Sequence, residues 1–199
     1  MSLRSLIAKN VGTLSLSAML ALSLSLNVYL ASKVDFHRPE PIVLIKENAK
    51  LPGVLHLLDA DGKPAQLALD GSQPTVIYVF SPLCPWCKRN EANVRALVAG
   101  ARSRYRIVGL STIATNLKQY IADGRAPFPV YVMKSPDQMR QLGVIGTPET
   151  LVIGSGARVE KVWSGAYLEP AKEQIEEYFH LTLPGISNVA ALTGSTPVH

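Results

Sequence analysis

The sequence predicts an α/β domain built on a central mixed β-sheet flanked by helices, carried behind one transmembrane helix. Three observations lead there. Thr75-Val-Ile-Tyr-Val-Phe80 is a continuous β-branched run, the pattern of a strand covered on both faces. After Cys84 the hydrophobic period becomes helical, and strands and helices alternate from there. The series closes with a hairpin and a helix, which makes the sheet mixed rather than wholly parallel.

The first element is the apolar segment. From Asn10 to Ser32 no residue is charged, a run of 23 positions dominated by leucine. A helix rising about 1.5 Å per residue needs roughly 20 residues to cross the hydrocarbon core, so the run fits one span. Arg4 and Lys9 precede it, which keeps the amino terminus cytoplasmic and sends the remainder outward. A signal peptide cut after Ser25, within the small-x-small pair Ser23 and Ser25, is the rival reading, and a buried helix is the third. Against cleavage, hydrophobic sequence continues to Ala31. The anchor reading divides the chain into 1–32 as cytoplasmic terminus and signal anchor, 33–41 as a proline-bearing linker, 42–181 as the domain and 182–199 as a disordered tail. It places the domain on the periplasmic side of the cytoplasmic membrane; cleavage would release it into the periplasm.

Within the domain, Val54–Leu58 and Gln66–Leu69 flank a turn at Asp61-Gly62 and predict an early hairpin. Cys87, Glu91, Val94 and Val98 share one helical stripe that closes near Gly100. Tyr105–Leu110 is a strand, Leu117, Tyr120 and Ile121 mark a short helix, and Val130–Met133 is another strand. Ser135-Pro-Asp-Gln138 predicts a capped helix start. Thr150–Ile153 and Arg158–Trp163 bracket Gly154-Ser-Gly156 as a second hairpin, and Pro170 opens a last helix with Ala171, Ile175, Tyr178 and Phe179 inward.

Composition narrows the chemistry. With 47% hydrophobic and 18% charged residues, the chain is neither disordered nor a multi-span membrane protein. The balance of 20 Lys+Arg against 15 Asp+Glu is weak support for nucleic acid, because the basic residues are scattered and no aromatic-interleaved basic stripe appears; no nucleic-acid partner is expected. Without Arg4 and Lys9 the exported part carries 18 basic against 15 acidic residues and reads as near neutral. Two cysteines among 199 residues exclude a disulfide-stapled mini-domain and a four-thiolate zinc site.

Those two, Cys84 and Cys87, follow a buried strand and begin a helix. The unpaired amides and dipole at a helix N-terminus favour a thiolate, so Cys84 is expected to be exposed and nucleophilic. Pro85 suits the first turn, where a missing amide proton costs nothing. Cys87, one turn inside on the core-facing stripe, is expected to be shielded and to act second. As a structural disulfide the pair would close too small a loop to stabilise much. Haem attachment would require histidine where Lys88 stands, and His37, His56, His180 and His199 form no cluster with the pair. No metal or other cofactor is expected.

Together, Ser81-Pro-Leu-Cys-Pro-Trp-Cys87 and Gly146-Thr-Pro-Glu-Thr150 resemble the thioredoxin superfamily. With the anchor, the early hairpin and the long gap between motifs, the chain is similar to that superfamily's anchored extracytoplasmic thiol-disulfide oxidoreductases (the TlpA/ResA-like group), including those that serve cytochrome c maturation. The resemblance implies a thioredoxin-like fold over roughly residues 42–181. It implies that Pro148 is a cis proline opposite the dithiol, and that Thr147 offers backbone groups to an extended substrate segment. Trp86 then belongs to an exposed apolar rim, against a packed core tryptophan as the alternative, and Leu83 and Phe80 support the groove or simply pack. Two positions depart from the family pattern: Tyr78 stands where thioredoxins bury an aspartate, and Asn90 where many anchored reductases place an acid. Glu91 beside it has two readings, proton acceptor for Cys87 or a carboxylate paired with Lys88 or Arg95.

The resemblance implies a reductase acting on disulfides of exported proteins such as an apocytochrome, supplied by a membrane-embedded thiol donor. An oxidase or isomerase of the same fold, and a non-enzymatic holdase or assembly factor, are the competing functions.

Overall fold

A computed structural model describes residues 3–33 and 44–186. Lys33 of the expected linker ends the first helix, and the rest of the linker and most of the expected tail lie outside the described residues. The chain divides into two units, Met1–Pro41 and Ile42–His199.

The first unit holds helix α1, Leu3–Lys33. Its stretch Ser15–Lys33, 19 residues, is long and apolar enough to cross a membrane. Polar side chains inside that stretch bond to the helix's own backbone: Ser17 Oγ to the Thr13 carbonyl at 2.8 Å, Asn27 Nδ2 to Ser23 at 2.9 Å and Ser32 Oγ to Tyr29 at 2.7 Å. These bonds satisfy the Ser17, Asn27 and Ser32 side-chain donors within the helix itself.

The second unit is a seven-stranded mixed sheet ordered β2-β1-β5-β4-β3-β6-β7. The Asp61-Gly62 turn joins β1 (Val54–Asp59) to β2 (Pro64–Ala68), and the Asp59 carboxylate accepts from the Asp61 and Lys63 amides at 2.9 Å each. The central strand β3 (Thr75–Phe80) is buried at all six positions. It runs parallel to β4 (Arg106–Ser111) and antiparallel to β6 (Glu149–Gly154). Beyond β4 lies the parallel β5 (Val130–Val132), and β7 (Arg158–Ser164) closes the other edge. Gly109 in β4 permits a close approach, since a Cβ there would meet the Phe128 ring at 2.2 Å.

One face of β3 presents Val76, Tyr78 and Phe80 to a core shared with Cys87, Val94, Leu97 and Phe179; the other presents Ile77 and Val79 to Leu57, Leu110, Met133 and Val144. Helices cover these faces: α2 (Pro85–Arg89), α3 (Glu91–Ala101), α4 (Leu117–Ala122), α5 (Pro136–Gln141) and α6 (Ala171–Phe179).

Three local expectations need correction. The helix after Cys84 is interrupted at Asn90, whose side chain is drawn into the core. Ser135 sits at the N-cap of α5 without capping it; Gln138 Oε1 accepts the Lys134 amide instead, at 2.9 Å. The tail does not begin at 182, because Leu183 is buried and the Gly185 amide donates to Asn93 Oδ1 at 2.8 Å.

Candidate active site

The strand β3 ends at Phe80, and a short turn delivers Cys84 to the N-cap of α2 with Pro85 at the first helical position. Cys84 takes extended backbone angles there, which points its Sγ at the free amides of the first turn. The Cys87 amide donates to Cys84 Sγ at 3.2 Å, and the thiol donates to the Thr147 carbonyl at 3.3 Å. Cys84 is half-buried; Cys87 is 1% exposed.

These environments separate the thiols. Partial burial opposes ionisation of Cys84, but the hydrogen bonds it receives outweigh that and hold its pKa below the ordinary thiol value. Burial pushes the Cys87 thiol up to about 12, with the neighbouring Cys84 sulfur adding to the rise. The two sulfurs therefore differ in direction: ionisation is favoured at Cys84 and opposed at Cys87.

The Thr147–Pro148 peptide is cis and lies against the dithiol. A groove of about 370 Å³ continues from it, lined by Trp86, Thr147, Pro148, Gly165, Leu168 and Pro170. Trp86 is 45% exposed at its rim, with the Arg89 guanidinium stacked 4.5 Å from the ring centroid. Leu83 is exposed, whereas Phe80 is fully buried and packs against Tyr78 and Tyr120. A larger cavity of about 500 Å³ lies by Lys161, Trp163 and Tyr178 and contains neither sulfur.

Glu91 pairs with neither Lys88 nor Arg95. Its partner is Arg125, whose Nε donates to Glu91 Oε1 at 2.6 Å and whose guanidinium stacks 4.4 Å from the Tyr120 ring centroid. Glu91 makes no hydrogen bond to Cys87; the α4–β5 loop, remote in sequence, supplies the stronger partner.

Tyr78 and Asn90 join a buried neutral network on the Cys87 face. Asn90 Nδ2 donates to the Tyr78 hydroxyl at 3.5 Å, and Asn90 Oδ1 accepts from Asn93 Nδ2 at 2.9 Å and from the Tyr167 amide at 3.1 Å. The Tyr167 hydroxyl is 2.7 Å from Thr150 Oγ1.

Glu149 is the residue that sequence reasoning missed. It follows cis Pro148 and is 2% exposed. Burial pushes its carboxyl up to about 7 despite a backbone hydrogen bond with Ile145, and its Oε2 meets no donor among the described residues. A signal existed: a carboxylate heads the otherwise apolar run Thr150–Ile153.

Neither a protein-family model nor a curated protein sequence matches the chain. Solved structures do match. StoA from Bacillus subtilis superposes at a TM-score of 0.51 and 16% identity, over 64% of this chain and 98% of that one. The thioredoxin domain of a thiol-disulfide oxidoreductase from Bacteroides vulgatus gives 0.56 at 12% identity, over 68% and 99%. A thiol:disulfide interchange protein from Bacteroides sp. gives 0.52 at 14% identity, over 68% and 91%. At these identities the likeness is one of architecture. The described residues of the second unit, 44–186, have a thioredoxin-like fold, with the dithiol where the central strand gives way to a helix.

Proposed function

We propose that the chain is a membrane-anchored thiol-disulfide oxidoreductase that reduces disulfides in exported proteins. The observation that carries this reading is the asymmetric dithiol: a half-exposed Cys84 sulfur bonded by helix amides, beside a buried Cys87 and next to the Thr147 carbonyl. In the forward step the Cys84 thiolate attacks a substrate disulfide, forming a mixed disulfide and releasing one substrate thiolate, which takes up a proton. Cys87 then gives up its proton and attacks the Cys84 sulfur; the second substrate thiolate leaves, and the pair carries the Cys84–Cys87 disulfide. Two electrons have passed to the substrate, and a membrane-embedded thiol donor restores the dithiol. No cofactor is required.

The groove at Trp86, Thr147 and Pro148 would seat an extended substrate segment, such as that of an apocytochrome, by backbone pairing. Helix α1 would hold the domain at the periplasmic face of the cytoplasmic membrane. The opposite direction, disulfide installation, draws support from one observation: stabilising the Cys84 thiolate stabilises the reduced pair and makes its disulfide more oxidising.

In cells, Cys87→Ser is expected to trap substrates as stable mixed disulfides, read on non-reducing gels. Rescue of the deletion phenotype by a Cys84→Ser, Cys87→Ser double variant would overturn the enzyme. The in-cell state of the pair, read by thiol alkylation, decides direction: mostly reduced supports the reductase, mostly oxidised the oxidase.

A further inference from the structure

The formal charge of the chain is +5, and it is not spread evenly. Residues 88–106 contain six basic residues and one acid, so this stretch alone carries the +5, while the rest of the chain balances at 14 of each sign. The near-neutral appearance of the exported part conceals one concentrated block.

The fold divides the six. Arg89 stacks on Trp86, Arg104 donates to the Phe179 carbonyl, and Arg106 donates to the Ala68 carbonyl and to Thr75 Oγ1. Lys88, Arg95 and Arg102 are exposed, and among the described residues no carboxylate pairs with them. The single acid of the stretch, Glu91, turns away to Arg125.

These three share one helical face. The interruption at Asn90 does not break the phase, since the Asn90 amide donates to the Trp86 carbonyl and the Val94 amide to the Asn90 carbonyl, both at 3.0 Å. Lys88, Ala92, Arg95, Ala99 and Arg102 therefore form one exposed row at helical spacing, with alanines leaving the charges uncovered. Extended one turn backward, the row reaches Cys84, whose carbonyl accepts the Lys88 amide at 3.1 Å. From Cys84 to Arg102 it runs about 27 Å along the helix axis.

We propose that this row is the docking surface for an acidic protein partner in disulfide exchange, one whose carboxylates flank the reacting cysteine. The alignment selects the occupant. A body lying along the row places part of itself at the Cys84 sulfur, and a protein delivering a disulfide or thiol has chemistry to do there, whereas a lipid surface has none. Opposite charge along such a row raises the encounter rate and fixes orientation. The partner's role rests on the exchange reading above; the charge preference does not.

The test uses the full chain in phosphatidylcholine nanodiscs. A fluorescent, cysteine-free peptide rich in Glu and Asp is expected to bind at low salt and to weaken steeply as the screening length falls from about 30 Å to about 3 Å. Its lysine-rich counterpart is expected not to bind. Arg95→Glu combined with Arg102→Glu is expected to weaken the acidic peptide about tenfold and to leave reduction of hydroxyethyl disulfide, a small neutral substrate, unchanged. Equal binding of both peptides, or binding indifferent to the double variant, overturns the proposal. So does a double variant that loses only co-flotation with phosphatidylglycerol vesicles, which would make the row a lipid contact. Failure of the wild-type chain to reduce hydroxyethyl disulfide would instead sink the exchange reading, with peptide binding still deciding the row.

Discussion

Two neighbouring rungs of the β3–β6 ladder bury polar groups in opposite ways. Tyr78 pairs with Thr150, and Val79 with Glu149. Alternation sends the two rungs to opposite faces of the sheet. On the Cys87 face, Tyr78, Asn90, Asn93, Thr150 and Tyr167 satisfy one another with neutral hydrogen bonds. On the other face a single carboxyl lies among apolar side chains with one oxygen unmatched. A matched neutral network takes little from stability, whereas an isolated acid stays buried only by keeping its proton. The comparison also locates control of the thiols. Among the described residues no carboxylate bonds to either sulfur, so burial and hydrogen bonding set their asymmetry.

The network is the more sensitive of the two. Asn90→Ala removes the shared partner of Tyr78, Asn93 and the Tyr167 amide and leaves those groups buried without it. We expect a loss of about 2–4 kcal/mol in urea unfolding, nearly independent of pH because every affected group is neutral. A loss below about 1 kcal/mol would mean that the network closes around the gap.

The lone acid should announce itself through pH. Its carboxyl has an ordinary value of 4.5 and is held at about 7 in the fold. Between those values the folded state binds more protons than the unfolded chain, so stability falls as pH rises. The contribution is fully present below about 4.5 and gone above about 7, a span of about 3 kcal/mol. Glu149→Gln keeps an acceptor for Ile145 and has no proton to lose. The wild type minus variant difference is expected to slope downward across that window and to be flat above it; a flat difference throughout would show that Glu149 is ionised in the fold.

How much of this was legible follows from the range of each interaction. The β-branched continuity of Thr75–Phe80 is a local signal and gave its strand directly, and spacing alone isolated Cys84 and Cys87. The break at Asn90 leaves no local sign, since its side chain bonds to Tyr78 and to the Tyr167 amide, 12 and 77 positions away. The partner of Glu91 was misassigned for the same reason: nearby Lys88 and Arg95 satisfied helical spacing, but Arg125, 34 positions on, supplies the bond. The burial of Glu149 depends on which face its rung takes, and sequence alternation is silent where every position of a strand is buried. The basic row, by contrast, stood in the sequence order and emerged once exposure separated Lys88, Arg95 and Arg102 from their tethered neighbours.

A third polar arrangement, at the rim, should have the smallest effect. The Glu91–Arg125 pair retains 22% and 23% side-chain exposure, so water screens it and Glu91→Gln is expected to cost less than about 1 kcal/mol. Its value lies in the thiols. Tyr120 stands beside this pair, and its phenol is pushed up to about 12, first by burial and then by the Glu91 charge. If the Glu91 charge governed proton loss from Cys87, removing it would shift the Cys87 titration and slow decay of the mixed disulfide. Because burial dominates Cys87 and Glu91 makes no bond to it, we expect alkylation of Cys87 against pH to superimpose on the wild type, with the resolution rate unchanged within about twofold. A displaced titration would instead mean that the carboxylate acts across Tyr120, returning an acid to the control of this dithiol.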